Sequence, residues 1–467
     1  MPHAARINGV LSNRVLAAVA SHACDVSTGS SAIAQSPIVA RRKAFMPSKI
    51  TAPRGTQDLI PPQSARWQEL EARIHALAHR FGYGEIRTPL FESTDLFVRG
   101  VGDTTDIVEK EMYTFADKGG RSLTLRPEWT ASVMRAALQH NVFESGAQRL
   151  YYIGPIFRYE RPQAGRYRQS HQFGIESVGF AGPEADAEVI ALADELLRSY
   201  ALPGITLHLN SIGDGACRPA YREALLAHFR PHADALSADS QRRLERNPLR
   251  LLDSKAAQDR PFVESAPSFE EHLCDSCAQH FARVKAYLDE TGIAYTIDPH
   301  IVRGLDYYTR TVFEFVSDSL GSQSTVCAGG RYDDLVRSLG GPDVPAVGFA
   351  LGMERLLLTI EAAGESREAA RAGVQAVALG DAALRRIVPV VADLRRRLKT
   401  PVFVDFGDRK LLAQLKLADR NNARFALILG SAELEAGTAV VRDLQARTDR
   451  AVQLDADLAN AFVEEGR

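Results

Sequence analysis

Two apolar runs joined by an arginine-rich loop constrain this chain more than any other stretch. Gln148-Arg149-Leu150-Tyr151-Tyr152-Ile153 is strand-like, and Phe173, Ile175, Val178 and Phe180 follow in the manner of a second strand. The loop between them contains Pro162 and Gly165, so the whole predicts a long antiparallel hairpin. Between the runs lie Arg158, Arg161, Arg166 and Arg168, against only Glu160 and Glu176. Guanidinium groups are planar forks that grip carboxylate and phosphate in pairs of bonds. Four of them on one hairpin predict a site for a phosphorylated ligand. The plainer alternative is a solvated basic loop on a sheet edge, and the rest of the chain has to decide between the two.

A chain of 467 residues is too long for one ordinary domain, and two or three are expected. The net charge of -2 excludes a generally basic nucleic-acid coat, so any such contact must use local patches. Five cysteines form no disulfide framework, and no apolar run approaches the roughly 20 residues of a membrane span. The expectation is a soluble, cytoplasmic protein in a reducing compartment, with no membrane partner. Residues 1–45 are rich in Ala and Ser, with Arg6, Arg14, Arg41, Arg42 and Lys43 against the single acid Asp25. That is the composition of an organellar transit peptide, and it equally suits a translation start placed upstream of a true start at Met46. The second reading is preferred because the helical pattern is weak; in either case the segment is expected to be disordered.

Trp67, Leu70, Ile74, Leu77 and Phe81 fall at three- and four-residue spacing and predict a helix from Pro61 to Tyr83. A strand over 85–92 follows. Short strands at 112–115 and 122–125 lead to Glu128 and a helix running to about His140. A helix at 184–200 and a strand at 205–209 come next. Residues 214–292 are helical and charged, with no strand pattern, and read as an insertion into a sheet domain. Strands return at 294–302 and 311–317, and Ala346–Leu356 is a strand, a glycine bend and the start of an apolar helix. Beyond a charged linker at 363–372, strands at 374–379, 401–404, 425–429 and 438–442 alternate with helices at 381–398 and 408–421, the pattern of an α/β layer. The domains expected are therefore 46–370, with its insertion, and 373–467.

The hairpin resembles motif 2 of class II aminoacyl-tRNA synthetases, in the form found in histidyl-tRNA synthetases. Three more segments carry the same resemblance. Pro53-Arg54-Gly55-Thr56-Gln57-Asp58 is similar to the opening of the histidyl enzymes. Ile301-Val302-Arg303-Gly304-Leu305-Asp306-Tyr307-Tyr308-Thr309-Arg310-Thr311 resembles the histidine signature, and Ala346–Leu356 resembles motif 3 with Arg355 as its arginine. The predicted helix and strand at 61–92 resemble motif 1, the dimer-forming element. The resemblance implies an α+β fold: an antiparallel sheet flanked by helices, a helical insertion, and a C-terminal α/β anticodon-binding domain.

It also implies a reaction: activation of L-histidine by ATP and Mg2+, transfer to tRNA(His), and a homodimeric enzyme. Arg158 and Arg303 would hold the substrate carboxylate and the α-phosphate. Arg355 and Arg166 would hold the remaining phosphates, and Glu160 the adenine end. Glu176 and Tyr308 would flank the imidazole, Glu128, Thr130 and Gln172 would hold the ammonium, and Trp129, Tyr307 and Tyr332 would line the pocket. Gln163 and Arg168 would meet the tRNA end. Read without the family, Glu128 is a helix-terminus charge.

Two positions depart from the family pattern: Trp129 replaces a glycine, and Ser170 replaces an aromatic that stacks on adenine. Cys274 and Cys277, flanked by His272 and His280, have the look of a zinc knuckle. No second CxxC exists, however, so no metal ligands are assigned and helical packing is the expectation. No phosphate loop of the form GxxxxGK[ST] occurs, nor do the class I signatures. The alternative function is the histidine-sensing regulatory subunit of ATP phosphoribosyltransferase, a relative that lacks the C-terminal domain and the ATP-binding arginines. Both are present here. A tRNA sensor beside a kinase would need a kinase segment.

Overall fold

The computed structural model describes residues 50–102, 105–364, 370–407 and 409–462; residues 1–45 lie outside them. All the secondary structure below falls within residues 52–467. Among the described residues no helix is long and apolar enough to cross a membrane.

The first helix, Gln63–Arg80, buries Trp67, Leu70, Ile74 and Leu77, one face of a 3.6-residue period. The strand expected over 85–92 is split. Gly84–Glu85 pairs in parallel with Leu150 and Tyr151, whereas Phe91–Ser93 joins a separate three-stranded sheet. Pro89 has no N–H to give a ladder, and buried Arg126 takes the local carbonyls instead: its Nη1 donates to the Thr88 oxygen at 3.1 Å and the Pro89 oxygen at 3.3 Å.

The hairpin forms as the sequence predicts. Gln148–Phe157 pairs antiparallel with Gln169–Val178, in register from Gln148 opposite Val178 to Phe157 opposite Gln169. Arg158 N–H then donates to the Arg168 carbonyl at 2.9 Å, and the loop closes at Gln163 and Arg166 around Gly165, whose φ is +70°. The hairpin lies within an eight-stranded sheet. Its order is Gly84–Glu85, Gln148–Phe157, Gln169–Val178, Ala346–Gly352, Thr325–Arg331, Thr309–Ser317, Ile205–Ser211, Thr296–Ile297. The interior pairs are antiparallel and the two edge pairs parallel, so the sheet is mixed rather than purely antiparallel.

Side chains alternate across a strand, and here the two sets have different company. Tyr151, Phe173, Ile175, Phe313 and Val347 pack with the helices Gln63–Arg80, Pro183–Arg198 and Asp275–Glu290. Tyr152, Val312 and Ala346 pack instead with Trp129, Tyr307, Tyr308 and Tyr332. The second face is where the site forms. Gly174 keeps it open, since a Cβ there would lie 2.3 Å from the Tyr152 hydroxyl and 2.6 Å from the Phe349 carbonyl.

Between Ser211 and Thr296 the described chain is helical, as expected of the insertion. The expected strand at 294–302 shrinks to Thr296–Ile297, because Asp298 and Pro299 follow at once. Thr325–Arg331 is a strand that sequence reasoning missed: Ala328-Gly329-Gly330 offers no alternation to read.

A buried ion pair ties this region together. The Arg331 guanidinium meets Asp186, with Nε to Oδ2 at 3.1 Å, and also donates to the Phe180 and Gly182 carbonyls at 2.9 and 3.0 Å. Burial alone would raise the Asp186 carboxyl, but Arg331 and His280 outweigh it and hold it down at about 2. Removing one partner strands a buried charge, so Asp186→Ala is expected to cost roughly 3–5 kcal/mol in urea unfolding. A loss below about 1 kcal/mol, the level of an exposed pair, would show that the pair is not what joins these elements.

The C-terminal sheet runs Val402–Val404, Val374–Ala378, Phe425–Leu429, Thr438–Asp443, Thr448–Gln453, parallel in its first three strands and antiparallel thereafter. The four predicted strands are present. The fifth, TDRAVQ, escaped reading because it is a polar edge strand in which every residue but Val452 is exposed. The helices are Asp381–Arg397, Leu411–Arg420 and the unpredicted Ser431–Ala436.

Candidate active site

A cavity of about 320 Å³ opens on the second face of the eight-stranded sheet. Its wall combines predicted site residues from four stretches: Glu128, Trp129 and Thr130; Arg158, Glu160, Arg166 and Gln172; Arg303, Tyr307 and Tyr308; Arg355. Tyr332 completes it. Of the predicted residues, Glu176, Gln163 and Arg168 do not line it.

Glu176 lies just beneath. Its Oε2 accepts a short hydrogen bond from the Tyr332 hydroxyl, and Oε1 has no hydrogen-bond partner among the described residues. Gly348 makes the room, since a Cβ there would lie 2.3 Å from Glu176 Oε2. The phenol bonded to Glu176 is Tyr332, which was expected to line the pocket. Tyr308, expected with Glu176 to flank an imidazole, faces the Arg303 guanidinium, 5.4 Å from its ring centre. Tyr307 packs on both, with ring centroids 4.7 Å from Tyr308 and 5.5 Å from Tyr332.

Burial pushes the Glu176 carboxyl up to about 8 from 4.5, against the pull of the Tyr332 and Thr130 hydroxyls. The folded state therefore holds this proton more tightly than the unfolded chain. Its contribution to stability is full below about pH 4.5 and is lost as the pH rises through about 8. At about 1.4 kcal/mol per pK unit the loss amounts to a few kcal/mol at most. Glu176→Gln is expected to flatten the fall in unfolding free energy between about pH 4.5 and pH 8. Parallel curves for the two proteins would rule this carboxyl out as the titrating group.

Glu128 caps the helix Thr130–Gln139. Its two carboxylate oxygens accept from Thr130 N–H at 2.7 Å and Ala131 N–H at 2.9 Å. The helix-terminus reading describes its protein contacts, and the carboxylate still borders the cavity. Gln172 presents a buried Oε1 with no hydrogen-bond partner among the described residues. Trp129 repacks rather than blocking the site. It is 2% exposed, stacks on Tyr152 at 4.6 Å and 12°, and carries Arg126 on its ring at 3.3 Å. Gly154 admits it, for a Cβ there would lie 2.8 Å from Trp129 Cζ2. Tyr152, also a wall residue, went unnoticed in the sequence because it reads as an ordinary strand aromatic.

At the other end arginines predominate. Arg158 Nε donates to the Pro127 carbonyl at 2.8 Å, which aims the guanidinium along the wall. Arg303 Nη1 is paired with Glu314, whose other oxygen accepts from Thr325 Oγ1 at 2.8 Å, and Arg303 Nε is buried without a hydrogen-bond partner among the described residues. Arg355 is held by the Thr325 carbonyl at 2.7 Å and the Gly165 carbonyl at 3.2 Å, which ties its helix to the hairpin turn. Arg166 pairs with Glu160. Four guanidiniums against Glu160 and Glu314 leave this end net positive, as a polyphosphate requires.

Glu314, Thr325, Lys255, His171 and Glu354 also line the cavity and were not predicted. His171 and Glu354 serve as a strut: Glu354 accepts from His171 N–H at 2.9 Å and lies 2.9 Å from Nδ1, and Trp67 packs edge-on against that ring. No local pattern marks such residues. Ser170, the departure from the family pattern, lines the wall with its hydroxymethyl.

Gln163 and Arg168 lie on the hairpin loop away from the cavity. Gln163 forms the turn with Arg166, while Arg168 stacks on Tyr159 at 4.0 Å and its N–H donates to the Gly55 carbonyl at 2.7 Å. Gly55, at φ +86°, leaves space for the Arg168 side chain, since a Cβ would come within 2.8 Å of it.

Over residues 55–356 the chain matches the family described as Histidyl-tRNA synthetase, and over residues 376–465 the family described as Anticodon binding domain. It is 50% identical over 399 residues to a histidine--tRNA ligase of Lysinibacillus sphaericus (strain C3-41), an alignment spanning 84% of this chain and 94% of that protein. A histidine--tRNA ligase of Desulforudis audaxviator (strain MP104C) is 51% identical over 407 residues, spanning 87% and 96%. Among solved structures, apo histidyl-tRNA synthetase of S. aureus is similar with a TM-score of 0.75 at 40% identity, covering 89% of this chain and 100% of that one.

Proposed function

The chain belongs to the histidyl-tRNA synthetase family, and from that premise we infer that it activates L-histidine with ATP and transfers the histidyl group to the 3′ end of tRNA(His). One observation carries the reading: Arg158, Arg303 and Arg355 border the same cavity as Tyr332, the partner of Glu176.

In the first step a carboxylate oxygen of histidine attacks the α-phosphorus of ATP in line, and the bond to pyrophosphate breaks. The nucleophile is already ionised, so no general base is needed. What the protein supplies is position and charge. Arg158 holds the carboxylate and α-phosphate together, Arg303 takes the charge that develops on the α-phosphate, and Arg355 with Arg166 takes the outer phosphates. Glu160 lies at the adenine end. Glu176, through its unpartnered oxygen, and Tyr332 read the imidazole, with Tyr307 and Tyr308 around it. Gln172, Thr130 and Glu128 receive the ammonium. Bound Mg2+ neutralises phosphate charge. Its preference for hard oxygen ligands and one or two carboxylates fits Glu314 beside the Thr325 hydroxyl.

In the second step the terminal ribose hydroxyl of the tRNA attacks the adenylate carbonyl and AMP leaves. Gln163 and Arg168 on the exposed loop meet the tRNA end, residues 214–292 its acceptor arm, and residues 373–467 its anticodon. Ile60, Leu90, Phe91 and Phe115 are large apolar side chains between 44% and 65% exposed near the motif 1 segment. They support a homodimer built on that segment. The sparse, free cysteines among the described residues support a cytoplasmic location.

The test is pyrophosphate exchange into ATP with each of the twenty amino acids. Exchange with histidine alone is expected. Histidine binding without exchange would move the chain to the regulatory relative of ATP phosphoribosyltransferase, for which the intact set of arginines offers no support.

A further inference from the structure

The four candidates His272, Cys274, Cys277 and His280 are not the set that the fold brings together. His280 turns to Asp186, 3.3 Å away, and His272 packs on the Tyr221 ring. Cys274 and Cys277 instead meet Asp214 and Cys217, from the opposite end of the insertion. The carboxylate oxygen and three sulfurs all lie within 4.8 Å of one another. We propose that Asp214, Cys217, Cys274 and Cys277 form a structural zinc site that clamps the start of the helical insertion to the helix that ends it.

The arrangement is that of two knuckles. Asp214-Gly215-Ala216-Cys217 and Cys274-Asp275-Ser276-Cys277 have the same three-residue step, and each lies at a helix start. Cys217 and Cys274 are the N-terminal caps of the helices Arg218–Phe229 and Asp275–Glu290, and Cys277 is in the first turn of the second. Backbone N–H groups and helix dipoles at such positions favour thiolate. One N–H is already so used: Cys274 donates to Cys217 Sγ at 3.1 Å. Gly213, at φ +55°, lets the first knuckle fold back, since a Cβ there would lie 2.7 Å from Cys217 Cβ and 2.6 Å from the Phe269 ring.

Four ligand atoms in a tetrahedron around zinc stand about 3.7 Å apart, given a zinc–sulfur bond of about 2.3 Å. A set already within 4.8 Å closes on the ion by side-chain rotation. Three sulfurs and one oxygen select zinc over magnesium or calcium. With four protein ligands no position stays open for substrate, so the role is structural. The thiol protons leave to solvent as the ion binds. Three thiolates and a carboxylate exceed the charge of the ion by two, and Arg310 Nη2, 3.4 Å from Asp214 Oδ2, offsets part of it. Arg310 also donates its N–H to the Gly213 carbonyl at 2.6 Å and follows the Tyr307–Tyr308 loop by two residues. The clamp thereby braces one wall of the histidine pocket.

The experiment is elemental analysis of the full chain, purified without chelator, with zinc counted against protein. One zinc per chain is expected. Cys277→Ser should fall below a tenth of that, and Cys327→Ser, which alters a buried thiol outside the cluster, should retain it. Asp214→Cys, expected to fold because it only completes a four-thiolate set, should keep the zinc and release it more slowly to a chelator. Refilling with Co2+ should give thiolate charge-transfer absorption and the strong visible bands of tetrahedral cobalt. Metal-free protein with all five thiols reactive, a disulfide within the cluster, iron in place of zinc, or zinc retained in Cys277→Ser would each overturn the proposal.

Discussion

Arg303→Ala is expected to lower kcat for histidine-dependent pyrophosphate exchange by about 10³-fold, the scale on which a positioned donor at a developing charge acts. Histidine affinity, followed by calorimetry, should change only a few-fold. The asymmetry follows from geometry. Arg303 is clamped by Glu314 on one side and faces the Tyr308 ring at 5.4 Å, so its charge is fixed before ATP arrives. A group preorganised in this way stabilises charge that exists only as the phosphorus is attacked. Arg303→Lys retains the charge without the fork and should recover part of the loss. Exchange within tenfold of the parent, or loss of histidine binding in equal measure, would remove Arg303 from the reaction.

The second large effect belongs to Glu176. Glu176→Ala should raise the histidine KM by about 100-fold or more while the ATP KM stays within a few-fold, because a buried group left without its hydrogen bond is penalised heavily. The carboxyl group keeps one oxygen for Tyr332 and one without a hydrogen-bond partner among the described residues. The arginine end is anchored separately, by the Thr325, Gly165 and Pro127 carbonyls. Tyr332→Phe tests the same contact from the other side and should cost less, since Glu176 then retains both oxygens for the ligand. Equal shifts in the two KM values would mean that the substitution had collapsed the cavity rather than removed a histidine contact.

Much of this was legible because its signals are local. The hairpin, the helix Gln63–Arg80, the insertion between Ser211 and Thr296 and the first four strands of the C-terminal sheet in chain order all follow from periodicity. Arginine density marked the polyphosphate end, and the resemblance of four segments supplied the family. Strands lacking a pattern were lost: Thr325–Arg331 through its glycines, Thr448–Gln453 through its charges. The break at Pro89 was visible as a residue but not as a division between two sheets, which depends on Arg126 taking the freed carbonyls.

The sequence by itself determined which chemistry the chain carries, because residue types and short spacings decide that: guanidiniums for phosphate, and a carboxylate with phenols for an imidazole. Tertiary structure alone decided the pairings. Tyr332 bonds Glu176, Trp129 finds room over Gly154, Glu354 supports His171 from 183 positions away, and Asp214 and Cys217 complete what Cys274 and Cys277 begin. Each of these joins residues far apart in the chain across a sheet or at a helix start. Local propensity carries no information about such contacts, because what brings them together is burial of the apolar faces on the same strands and helices.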